Sequence, residues 1–505
     1  MSENHTFLKF NGKINRRLPQ DEIGDNEVSL RWNWLSRNNR LVKPPGHKTT
    51  TTGLTDISRW MARYQTFEVG ALSPKTFVYT EDGRIWVLND QTGAPTVVKE
   101  LLKVNSDPRH WLFKTGSQTN LFLVDGDTLF IHDGNNANTF DVVTLTDSGG
   151  SSVHPIDLIE HKDRLCVISR NSLFISKNLE PTNFTDANDS IEIIVGSGKG
   201  QNLALGKIED HLFIFNTEGI FVLDGDVISA LAITFEVRLV DERKLGLQHS
   251  VVKVEQALIF VADDYELWSF DGSSSKMLSY ELKLKDFVNT YALPKTKANA
   301  VYHDNYYKLS FVEKGLVEPN TEIWWDAFED KIDIVKGRNV SCYMKTDPTI
   351  EAEILQMGQS NANTIVQEGT ANDFNGTAIA TRLRTKDYTP KKGHNVRFTA
   401  FYPEFEPTGN RDLTIIYLLD GRLSNPQTAF TSHLQGETTT LGTVNINNQA
   451  QFTGRVRPSI NYAHGQSIAF EVIEATLGLK SSLVGIGIDF IVKERKKSDS
   501  LIGAV

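Results

Sequence analysis

Apolar residues alternate with polar ones over runs of four to seven positions along most of the chain, and these runs are bounded by Gly, Asp and Asn. A period of two is the signature of strands with one face buried. Helical spacing is confined to short stretches such as 241–247. The strands come in a recurring unit of apolar strand, polar turn and second apolar strand: Thr76-FVYTEDGRIWVLND, Asn120-LFLVDGDTLFIHDG, Asp163-RLCVISRNSLFIS, Asp210-HLFIFNTEGIFVLDG, Gln256-ALIFVADDYELWSFDG and Asn305-YYKLSFVEKG with Glu322-IWWD. Anchored at Phe77, Leu121, Leu165, Leu212, Leu258 and Tyr306, the units lie 44, 44, 47, 46 and 48 residues apart by subtraction.

That interval is the length of a four-stranded propeller blade, whose sheet has two apolar faces that only neighbouring blades can cover. The fold class expected is therefore all-β, with a β-propeller of about six blades over 51–350. Hairpin aromatics such as Phe77, Trp86, Phe122, Phe130, Phe213, Phe260, Trp268 and Trp324 read as packing between blades. After 350 the repeat fades. The polar stretch 351–371 reads as a connection, and the seven runs within 372–497 as an antiparallel β-sandwich. Residues 498–505 form a tail, and 1–50 an extended N-terminal arm, part of which pairs with the last blade. On that reading, deletion of residues 1–48 leaves a soluble, folded propeller.

Composition changes this picture little. The formal net charge of −10 opposes tight wrapping of nucleic acid but not passage of a polyanion. Cys166 and Cys342 are too far apart in sequence for a metal pair, and Cys166, within the apolar run 165–168, reads as a small core residue. No apolar segment reaches membrane-spanning length, and the first residues lack a secretory apolar region. Phosphate-loop, zinc-protease, nucleophile-elbow and paired-cysteine motifs are missing, so no catalytic residue, metal site or cofactor is expected. The acidic pairs Glu81-Asp82 and Asp263-Asp264, and the Asp-Gly steps at 125, 133, 224 and 271, read as turn residues.

Seven arm residues stand out as contacts for assembly or DNA: Arg16, Arg17, Trp32, Trp34, Arg37, Arg40 and Lys43. For the cations the competing reading is a solvated arm with local ion pairs to Asp21, Glu22, Asp25 and Glu27. For the two tryptophans, spaced to share one face of a strand, it is simple core packing.

The segments Phe10-Asn-Gly-Lys-Ile-Asn15, Pro19-Gln-Asp-Glu-Ile23 and Arg40-Leu-Val-Lys-Pro-Pro-Gly46, with Arg382-LRTKDY and Gly485-IGIDFIVKER near the other end, resemble the tail-nozzle or tail-hub proteins of short-tailed bacteriophages. The chain departs from that pattern at Asn39, where the family often has glycine. The resemblance implies a homo-hexameric ring in the virion tail, made in the host cytoplasm and placed below the portal and adaptor rings. It also implies attached tail fibres or spikes, and a channel that retains and ejects phage DNA without reading its sequence. Two alternatives are a propeller-based glycan-binding or depolymerising tail protein and a cellular scaffold with WD-type blades.

Overall fold

The computed structural model describes residues 4–493 except 69–70, 90–91, 101, 116–117, 134–138, 187–188, 226, 230–231, 291–296, 347–351, 406–410, 421–426, 435–437, 442–443, 448–451, 454–463, 479 and 481. The expected tail and most of the basic stretch after Lys493 lie outside these residues. Two compact units divide the chain: one of residues 47–330 and 336–370, the other of residues 1–46, 331–335 and 371–505.

The first unit is the propeller. Five consecutive four-stranded antiparallel sheets supply blades 1 to 5, opening with Ser58–Glu68, Arg109–Thr115, Asp157–His161, Asn202–Ile208 and Val252–Val254. Blade 6 contributes Asn299–His303, Tyr306–Phe311 and Thr321–Asp326. Every anchor of the sequence repeat falls on the second strand of its blade, and the hairpin aromatics named above are buried.

A seventh sheet follows. Val340–Lys345, Leu355–Gln359 and Ile365–Glu368 are joined by His47–Thr51 from the other end of the unit, with Glu368 opposite His47 and Gln367 opposite Lys48. The stretch 351–371 is thus not a connection, because two of its segments are strands of this closing blade. The first strands of successive blades touch in order around a circle, and that of blade 7 meets that of blade 1. Ser341 Oγ donates to the Ser58 carbonyl at 2.6 Å across this last joint. Gly358 is required there, since a Cβ would stand 2.1 Å from Ser58 Oγ.

The core lies between blades rather than within them. Phe77, Tyr79 and Ile85 of blade 1 pack with Leu121, Leu123 and Phe130 of blade 2. Cys166, Ile168 and Ile175 of blade 3 pack with Leu212, Ile214 and Leu223 of blade 4. Met61, Val78 and Trp86 of blade 1 pack with Cys342, Met344 and Ile365 of blade 7, which seals the circle. Full burial of side chains this size stabilises by roughly 1.5–3 kcal/mol each.

The second unit is a two-sheet sandwich, but its strands are not all C-terminal. One sheet runs Leu35–Arg37, Arg40–Val42, Ser482–Val492, Val396–Phe405 and Phe452–Thr453, with Asn4–Lys9 also paired to Ser482–Val492. The other contains Val28–Trp32, Thr381–Thr385, Ile468–Glu474, Arg411–Leu419 and Gln427–Leu434 in that order. Phe401 of the first sheet meets Tyr417 of the second at a tilt and Phe470 edge to face, at ring-centroid distances of 5.5 and 5.0 Å. The expected extended arm is therefore an integral part of a folded unit. Its polar look came from strands whose partners lie hundreds of residues away. The short segment 331–335 also belongs to this unit, where Ile334 pairs in parallel with Trp32 and Asp333 accepts from the Ser36 N–H.

Candidate functional site

Buried charge is the feature of the propeller that strand-forming propensity does not explain. On the face where the first strands begin, a chain of opposite charges crosses several blades. Arg59 donates to Glu81 at 2.7 Å and lies 3.5 Å from Glu318, which also pairs with Lys297. Burial opposes the charge on Arg59, but Asp107, Glu81 and Glu318 outweigh it and raise its pKa. Arg109 of blade 2 donates to the Gln248 carbonyl at 3.4 Å, and its charge acts on Asp157 of blade 3. Asp157 accepts from the N–H of Leu158 at 2.9 Å and, across the blade boundary, from that of Leu205 at 2.8 Å. Burial pushes the Asp157 carboxyl up against these favourable contacts. His249 is driven well below the ordinary imidazole range by burial and then by Arg109.

A denser network fills the seam between blades 6 and 7. Glu368, on the strand paired with His47, receives Lys308 at 2.5 Å and Arg338 at 2.6 Å. Arg338 also lies 3.2 Å from Glu322, which accepts from Trp324 Nε1 at 2.8 Å and from the Tyr343 hydroxyl at 2.6 Å. The Lys308 ammonium stands 4.1 Å from the Trp324 ring centre. Burial penalises the Glu368 charge, but Arg338 and Lys308 overcome it and hold the carboxyl well below its usual range. These groups are spent on one another. Their chemistry is that of a clasp, each charge being tolerable only because its neighbours are present. Replacing Glu368 by Gln leaves Lys308 and Arg338 buried without their counter-ion, and we expect a loss of about 3–5 kcal/mol. A fall in the urea midpoint at unchanged slope reads it out.

The seven arm residues do not converge. Trp34 is fully buried, and Lys43 forms a buried ion pair with Glu474. Neither can meet DNA, which corrects the sequence reading. Trp32 is half-buried under the Arg382 guanidinium, 5.2 Å from its ring. Asn33 between the tryptophans has φ 56°, so the strand breaks and the two rings cannot share a face. Arg37 and Arg40 are cross-strand partners flanking Asn38 and Asn39, whose φ values of 51° and 60° make a tight hairpin turn. The left-handed backbone at Asn39 is one that glycine also adopts readily. Arg16 is half-buried and Arg17 exposed. Of the local ion pairs expected for the arm, Asp25 pairs instead with Lys386, while Glu27 accepts from Asn15 at 3.0 Å.

The turn readings hold at Asp82, Asp264 and Asp125, whereas Gly134 of the Asp133-Gly134 step lies outside the described residues. Asp82 accepts from the hydroxyls of Thr80 and Thr55, both at 2.6 Å, and Asp264 accepts from the N–H of Glu266 at 3.0 Å. Asp125 likewise accepts from the N–H groups of Asp127 and Thr128 at 3.0 and 2.8 Å. Cys166 and Cys342 are core residues, with burial raising their thiols to about 12 and about 11. Sequence reasoning took Arg31 for one more arm cation open to DNA phosphate or an acidic partner, and missed Glu322, Arg338 and Glu368. Arg31 and Asp333 form a fully buried pair across 302 residues of sequence. The one local signal was a charge inside an otherwise apolar strand run, as at Lys308 in YYKLSF and Glu322 in TEIWWD.

No family model and no curated protein matches this chain. Among solved structures, Raptor from Chaetomium thermophilum is similar over 68% of this chain at 12% identity, with a TM-score of 0.43. The match spans 30% of that protein's length, so it leaves the function of this chain to be argued from its own residues.

Proposed function

We propose that the chain is a non-enzymatic structural protein of a short-tailed bacteriophage virion. In this reading it forms a ring, typically of six copies, in the tail nozzle or hub beneath portal and adaptor. DNA passes through the ring, and fibres or spikes attach around it. The observation that carries the proposal concerns the segments that resemble the family. They come from opposite ends of the sequence, yet they are hydrogen-bonded neighbours in one sandwich. Leu41 and Val42 of the Arg40–Gly46 motif pair with Leu483 and Ser482 at the start of the strand Ser482–Val492, which carries the C-terminal motif, and the Asp387 N–H of the Arg382 motif donates to the Gln20 carbonyl of the Pro19–Ile23 motif at 3.2 Å. Segments that fold together would be retained together.

The physics suits a building block. A closed circle of blades has no free sheet edge at its joint, and its buried ion pairs oppose deformation. Identical rigid blocks with a heterologous contact close into a ring when the rotation permits. A net charge of −10 would let a polyanion pass without being held. Electron microscopy of the purified protein, and of particles carrying it with an added density tag, is expected to show closed rings at the tail. A protein that stays monomeric at high concentration and is missing from particles sinks the proposal.

A further inference from the structure

Blades 4 and 5 leave a cleft of about 300 Å³ on the face opposite the charge chain, where their first and third turns emerge. Its floor is apolar. Ile208, Phe213 and Val222 are the exposed-side end of the core between these blades, and Val240 forms one wall. Two Asp-Gly turns at equivalent places in successive blades, Asp224-Gly225 and Asp271-Gly272, frame it together with Glu209, His211, Gln256 and Arg238. Gly272 has φ 100°, and a Cβ there would reach to 3.6 Å from Phe213 and 4.0 Å from Ile208. The missing side chain leaves that part of the floor open.

Carboxylates outnumber cations on the rim: Glu209, Asp224 and Asp271 stand with Arg238 and with Lys162 of blade 3, whose Nζ donates to the Gly225 carbonyl at 2.8 Å. Arg238 is committed to Asp224, with Nε and an Nη at 3.0 and 2.8 Å from the same carboxylate oxygen. Among the described residues Asp271 accepts only from its own turn, from the N–H and hydroxyl of Ser273, both at 2.8 Å, and from the N–H of Ser274 at 2.9 Å and its hydroxyl at 3.3 Å. Those donors fix the carboxylate in place and hold its pKa down to about 2, so it is ionised throughout the physiological range. Glu209 stands on the tight turn that precedes His211, with φ 49°. An apolar floor beneath two carboxylates selects a ligand with an aliphatic body and a cationic head, because a neutral polyol wastes the floor and an anion meets the rim.

We infer that this cleft binds an alkylammonium group, as carried by a free polyamine or by a lysine side chain of a partner. Its affinity for a single group belongs in the millimolar range, the ammonium exchanging water for carboxylate oxygens while its methylenes cover Phe213 and Val222.

Calorimetric titration of the full chain with spermidine, with N-acetyl-lysine methylamide and with glucose as the neutral control tests it. Both amines are expected to bind and glucose not to. Tighter binding of spermidine points to the free polyamine, and binding of the lysine amide at least as tight points to a partner's side chain. Asp271→Asn keeps the acceptor for the Ser273 and Ser274 N–H groups while removing the charge, and should weaken amine binding about tenfold. Val240→Trp on the exposed outer strand fills the cleft and should abolish it, with an unchanged melting transition showing that the blade is intact. Absence of heat with either amine, equal binding of glucose, or binding that survives both substitutions overturns the assignment.

Discussion

A chain beginning at Gly53 is expected to lose cooperative unfolding of its propeller, whereas one beginning at His47 keeps it. The difference is one strand. His47–Thr51 is the outer strand of blade 7, paired with Ile365–Glu368 and supplied from the opposite end of the unit's sequence. Without it the edge of Ile365–Glu368 is unpaired, and the seam holding Lys308, Arg338 and Glu368 is exposed at one side. Closure of a circle is not local, since the contact between blades 7 and 1 holds only while blade 7 is complete. We therefore expect a loss comparable to the net stability of a domain, on the order of 5–15 kcal/mol. Hydrogen exchange should show residues 340–368 and 58–88 losing protection together in the shorter chain. Equal protection in the two truncations would remove the closing role of this strand. The expectation drawn from sequence, that removal of residues 1–48 leaves the propeller folded, takes no account of this strand, since the cut removes His47 and Lys48, two of its five residues.

Six blades were legible because their middle strands are continuous apolar runs with turn residues at a fixed interval, and packing on both faces demands that pattern. The seventh was hidden by its own packing. Its second strand reads Leu-Gln-Met-Gly-Gln, with Gly358 where close approach to Ser58 forbids a side chain, and its fourth strand lies some three hundred residues upstream. The sandwich was legible at its C-terminal strands, which alternate, and illegible at Leu35–Arg37 and Arg40–Val42, whose three-residue strands are too short to show a period. Candidate residues suffered from the same blindness to distance. Lys43 looks solvated beside Pro44 and becomes internal only through Glu474. Arg31 looks like one more arm cation until Asp333 is brought to it. A buried ion pair leaves no spacing rule in the sequence, so its partners are read one at a time as surface charges.

Mild acid should unfold the propeller well before its carboxylates titrate. Four histidines are nearly inaccessible within it: His47 beside the seam, His132 and His161 between blades, and His249 near Arg109. Burial is the largest cause in each case. It lowers His47 to about 3, with help from Arg338, lowers His132 and His161 to about 4, and holds His249 well below the ordinary imidazole range. The sign follows from linkage. As pH falls from near 6.5 towards 4 the unfolded chain takes up these protons and the native one does not, so stability drops across that window and levels off only below the native values. At about 1.4 kcal/mol per pH unit, His132 and His161 each contribute up to about 3 kcal/mol to the loss and His47 up to about 5 kcal/mol. Raised carboxyls such as Asp157 oppose the trend in part, and Glu368 adds to it below its ordinary 4.5. Urea midpoints are expected to fall steeply between about pH 7 and about pH 5. His132 lies among Tyr64, Phe77 and Phe140 at ring distances of 5.4, 5.0 and 5.3 Å, a cage that accepts phenylalanine. His132→Phe should therefore flatten the slope by close to one proton. An unchanged slope in that variant, or a wild-type midpoint indifferent to pH in this range, would show that these imidazoles gain protons without leaving the core.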